Sequence, residues 1–82
     1  MVHKLYKIEY IRNPITEKNT KEIIETTLAN EMTIQNMFLT KNKTSLYLIV
    51  ESYLDLDNVC NSFENYNGYG FFNVSEIIKI QY

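Results

Sequence analysis

Few residues in this chain have side chains suited to a reaction, and their spacing does not assemble one. Cys60 is the only thiol and His3 the only imidazole in 82 residues. One cysteine and one histidine fall short of the usual zinc set. Cys60 has no basic neighbour in sequence and lies on the apolar stripe of a helical segment, which fits core packing better than nucleophilic chemistry. Asp55-x-Asp57-Asn58 has the opening of a calcium loop but lacks its glycine and its closing glutamate, so Asp55 is read as a helix cap. No phosphate-cradling glycine loop and no nucleophile elbow occurs. The reading is therefore non-enzymatic: no catalytic residue, no metal site and no cofactor.

The totals point the same way. Hydrophobic content of 45% with 22% charged residues suits one small globular domain spanning residues 1–82. No stretch approaches the roughly 20 apolar residues of a membrane span, and no secretion signal is expected at the start. A lone cysteine cannot form an internal disulfide, which suits a cytoplasmic setting. A net charge of -2 disfavours a general nucleic-acid binder, which needs a basic stripe. Abundant Asn, Ile, Lys and Tyr beside a single alanine, arginine and proline suggest an AT-rich genome.

The element that positions the rest is Ser45–Glu51, whose run Leu46 to Val50 reads as a strand buried on both faces. Val2–Arg12 alternates as a first strand, stopped by Asn13-Pro14. Asn19, followed by Glu22, resembles a capping box and starts a helix over Thr20–Asn30. Thr33–Thr40 forms a hairpin with Ser45–Glu51 through the polar turn Lys41–Thr44. In this second strand Ile34 and Phe38 share one side, and Met37 and Leu39 the other. Leu56, Val59, Cys60 and Phe63 mark a second helix, ended by Asn67-Gly68 and Gly70. Phe71–Tyr82 supplies a last strand, clearest from Val74.

The order βαββαβ is the ferredoxin-like α+β arrangement, a four-stranded antiparallel sheet with two helices on one face. The first and third strands belong in the centre. Tyr6, Ile8, Tyr10, Leu46, Leu48, Val50, Ile78 and Ile80 are assigned to the helix-covered side. Two helices cover one side only, which leaves Leu5, Met37, Leu39, Tyr47, Ile49 and Ile77 for a partner, with Lys7, Glu9, Glu51 and Lys79 among them. Glu22 and Glu25, in the acidic run Glu17 to Glu31, are a second candidate surface for a basic partner. The outer strands also offer unpaired backbone.

Asn67-Gly68-Tyr69-Gly70-Phe71-Phe72-Asn73-Val74 resembles the octapeptide of RNA-recognition motif domains, matching at Gly68, Tyr69, Gly70 and Phe71. Asn67, Phe72 and Val74 depart from it. The family carries this string on its third strand, whereas here only Ser75–Tyr82 follow, so Gly68 and Gly70 are read as turn residues. In size, economy and composition the chain is similar to the small proteins that phages and mobile elements make against host defences, the anti-CRISPR type among them. That resemblance implies steric inhibition of a host protein or protein complex. A single-stranded nucleic-acid binder and a homodimeric small-ligand module remain as alternatives.

Overall fold

A computed structural model describes residues 2–64, 66 and 70–80. The elements follow as β1 (Lys4–Ile11), α1 (Glu17–Ala29), β2 (Thr33–Leu39), β3 (Ser45–Ser52), α2 (Leu56–Glu64) and β4 (Phe71–Ile77). The strands lie in the order β2-β3-β1-β4, and each neighbouring pair is antiparallel. This is the expected ferredoxin-like architecture, with β1 and β3 central and β2 and β4 at the edges.

The core follows from period-two alternation on the central strands. Tyr6 pairs with Val50, Ile8 with Leu48 and Tyr10 with Leu46, and all six side chains are fully buried. The helices close over them with Ile23 and Thr27 from α1 and Val59 and Phe63 from α2. Ile15 and Met32 fill in from the connections at either end of α1. At one end the core is aromatic: Phe72 stacks 4.8 Å from Tyr10 and 5.0 Å from Phe63, with the Tyr66 ring edge-on. At the other, the Tyr6 hydroxyl donates to the Leu54 carbonyl at 2.6 Å, tying β1 to the approach to α2.

Three local readings change. Helix α1 begins a turn earlier than expected, because Thr16 is its cap and Asn19 its third residue. The Thr16 hydroxyl accepts from the Asn19 amide at 3.1 Å, while the Asn19 side-chain oxygen accepts from the Thr16 amide at 3.0 Å. Asn19 is itself buried and reaches the Tyr66 hydroxyl through its Nδ2. The second correction concerns β4, whose pairing with β1 ends at Leu5↔Ile77. Ile78 and Ile80 therefore lie beyond the sheet, 78% and 68% exposed, and Phe72 and Val74 take the places against the core.

The third is in β2. The pairing with β3 shifts between Ile34 and Asn36, a bulge that inserts one extra residue. Ile34 opposite Val50 and Met37 opposite Leu48 are then both on the helix side, although a regular strand would separate them. Helix α2 is capped as expected, the Asn58 amide donating to the Asp55 carboxylate at 2.9 Å. The expected stop at Asn67-Gly68 lies outside the described residues, as does Tyr82.

Candidate functional site: the open face of the sheet

Both helices pack on one side, so the other side of the sheet is the surface to describe. The registers arrange it in rows across β2, β3, β1 and β4. One row is Thr33, Glu51, Leu5 and Ile77; the next is Asn36, Ile49, Lys7 and Ser75. Then come Phe38, Tyr47, Glu9 and Asn73, and at the far end Ser45, Ile11 and Phe71. Apolar side chains thus occupy both ends and the β2–β3 flank, and a polar centre runs from β1 out to the β4 edge.

That centre is internally paired. Glu9 accepts hydrogen bonds from the Tyr47 hydroxyl and from Asn73, and these hold its carboxyl below the usual carboxylate range. The same bond to Glu9 pushes the Tyr47 hydroxyl above the usual phenol value. Lys7 lays its ammonium 5.8 Å from the centre of the Tyr47 ring, within reach of a cation–π contact. Glu51 is held by Gln35 at 2.9 Å, and the His3 Nδ1 lies 3.0 Å from the other Glu51 oxygen. The charged groups of this centre thus have partners on the same face.

Of the residues singled out in the sequence, Leu5, Tyr47, Ile49 and Ile77 stand together on this face. Met37 and Leu39 do not. The bulge in β2 turns them to the helix side, opposite Leu48 and Leu46, where they are 41% and 44% exposed at the sheet's edge. Glu22 and Glu25 lie on α1, across the molecule from the open face; Glu22 has Lys18 at 4.0 Å and Glu25 is exposed. Lys79 is exposed beyond the end of β4.

Two residues, Phe38 and Phe71, join the face that pattern reading did not place there. Phe38, 58% exposed, is brought over by the bulge. Phe71, 75% exposed, follows from β4 starting at its pairing with Ile11, and Ile11 sits beside it. The alternation of Phe72 and Val74 against the core could have found Phe71; nothing short of the pairing register could have found Phe38. Ile11 and Phe71 border a hollow of about 630 Å³ completed by Arg12, Asn13, Thr44 and Gly70.

Among the described residues no group of three or more His, Cys, Asp or Glu is placed to hold a metal ion. Cys60 is half-buried on α2, beside a groove of about 430 Å³ shared with Phe63, Tyr66, Phe72 and Val74. No helix among the described residues is long and apolar enough to cross a membrane.

No family model and no curated protein matches the chain. Among solved structures it is similar to the P2 domain of the chemotaxis kinase CheA from Thermotoga maritima, solved in complex with the response regulator CheY. The TM-score is 0.77 at 14% identity, covering 93% of this chain and all of that one. The likeness is one of fold, and in that neighbour the fold belongs to a domain bound to another protein.

Proposed function

We propose that this chain is a non-enzymatic protein-binding module that docks through the open face of its sheet. The observation that carries the reading is the set of apolar side chains, Leu5, Ile11, Phe38, Ile49, Phe71 and Ile77, gathered from all four strands on the side that neither helix covers. Covering such a surface removes apolar area from water, and the ordered Glu9–Tyr47 and Glu51–Gln35 pairs give it a polar pattern for specificity. The use of this fold by a CheY-bound domain supports the class of function. The finer reading is a small steric inhibitor of a host protein complex, of the kind phages and mobile elements produce, and it rests on size and composition.

Phe38, Tyr47 and Phe71 share the open face, and Lys7 reaches the Tyr47 ring, part of what a base-stacking sheet would require. Glu9 and Glu51 nevertheless put two carboxylates on the central strands, which disfavours a phosphate backbone there.

Affinity capture from a host lysate tests the proposal. The unmodified chain and a Glu22→Gln/Glu25→Gln variant should retain the same partner, and Ile49→Lys should lose it. If the inhibitor reading holds, the captured complex is inactive while bound. Retention of the partner by Ile49→Lys would refute docking through this face.

A further inference from the structure

The outer edge of β2 lacks most of the devices that keep sheet edges apart. Thr33–Leu39 carries no charge and no proline, and its last residues are apolar and exposed on both sides, Met37 and Leu39 on one and Phe38 on the other. Its bulge falls at Ile34/Asn36, leaving Asn36–Leu39 regularly paired with β3. The opposite edge, β4, carries the charged Glu76.

Ladder alternation settles which groups face outward. The Thr40 amide donates to the Ser45 carbonyl at 3.0 Å, so Thr40↔Ser45 is an inward-bonded pair and Phe38↔Tyr47 is the next. The N–H and C=O groups of Met37 and Leu39 therefore point away from β3.

We propose that a second copy of this chain pairs on this edge, β2 against β2, antiparallel about a two-fold axis at Phe38. Outward-facing residues form the bonded pairs of a new ladder, so Met37 and Leu39 must meet Met37 or Leu39. Pairing Met37 with the partner's Leu39 satisfies both residues of each copy, whereas a register centred on either one bonds that residue alone. In this register Phe38 faces the partner's Phe38 as a close non-bonded pair on the open side, and Met37 packs on the partner's Leu39 on the helix side. The ends are complementary as well. Antiparallel pairing brings Lys41 and Lys43 of each copy toward the end of β2 that bears Glu31, whose carboxylate is oriented by the Tyr53 hydroxyl. This self-complementarity selects a second copy over a foreign strand. The product is a continuous eight-stranded sheet, and its existence does not depend on the open face binding a partner.

The test combines mass measurement with cross-linking. Sedimentation of the unmodified chain should show a monomer–dimer equilibrium. Phe38→Cys in a Cys60→Ser background should form a disulfide-linked dimer under mild oxidation, because facing Cβ atoms in such a pair lie about 4.5–5.5 Å apart. Leu39→Pro removes an amide that β3 does not use. It should keep the circular dichroism of the fold and weaken the dimer on the order of tenfold or more, each substitution counting twice across the axis. A chain that stays monomeric at all concentrations would overturn the proposal. So would a dimer that neither cross-links through Phe38→Cys nor weakens with Leu39→Pro.

Discussion

Gly70 shows how narrowly single residues hold this fold. Its φ of +148° lies where side-chain-bearing residues are strained, and a Cβ there would sit 2.6 Å from both the Ile11 carbonyl oxygen and the Tyr10 ring. Gly70→Ala should cost about 2–4 kcal/mol in a denaturant titration, a large share of the roughly 4–12 kcal/mol expected of a domain this size. Tyr6→Phe should cost about 1–2 kcal/mol by the same measurement, because the Leu54 carbonyl loses its 2.6 Å donor. Titration gives a third prediction. Tyr6 and Tyr66 are raised above the usual phenol value of 10.0 chiefly by burial, and Tyr47 by its bond to Glu9. Their unfolded forms lose protons first, so stability should begin to fall as pH rises past about 10 and continue to fall through the folded values. Glu9 works in the opposite direction. Its lowered value contributes stability above the usual 4.5, lost as pH falls through the folded value. Tyr47→Phe removes both effects of that bond, and its pH–stability curve should be flatter at each end than that of the unmodified chain.

At the scale of elements, the decisive feature is the bulge in β2. Deleting Gln35 would restore simple alternation across Ile34 and Asn36. With the extra residue gone, Ile34 and Asn36 become neighbours opposite Val50 and Ile49, so Ile34 should stay on the helix side and Phe38 on the open side. A cysteine replacing Phe38 should therefore label as readily in the deletion variant as in the unshortened chain, and its burial there would contradict the bulge. The cap at Thr16 is a simpler case: Thr16→Ala should cost about 1 kcal/mol.

These elements also show what was legible in the sequence. The alternation of Tyr6, Ile8 and Tyr10 and the run Leu46–Val50 identified the central strands, since both depend only on local pattern. The change of period at α1 and α2 identified the helices. The bulge depends on how β2 meets β3, which no window of β2 records, and so local alternation puts Met37 and Leu39 on the open side and Phe38 on the helix side, the reverse of the observed pairing. The ends of α1 and β4 failed for a related reason. Asn19 and Thr16 are both good caps, and tertiary contact between Asn19 and Tyr66 accompanies the earlier one. Ile78 and Ile80 continue the alternation of β4 past the point where β1 pairs with it.

The molecule as a whole has two unequal faces. A sheet backed by two helices on one side presents Leu5, Ile49, Phe38, Phe71 and Ile77 on the other, set around paired carboxylates and tyrosine. The extents of 36 × 31 × 16 Å describe a flat body whose two broad sides are the helix layer and the open sheet. Leu5, Ile49 and Ile77 lie away from the β2 edge, so substitutions there probe the face without touching the proposed self-pairing. The most direct measurement is hydrogen–deuterium exchange and surface labelling of the chain alone and with its captured partner. Labelling of cysteines placed singly at residues 5, 49 and 77 should be suppressed in the complex, while a cysteine at Glu25 on α1 should label at the same rate in both states. Protection at residue 25 with no change at 5, 49 and 77 would contradict docking through the open face.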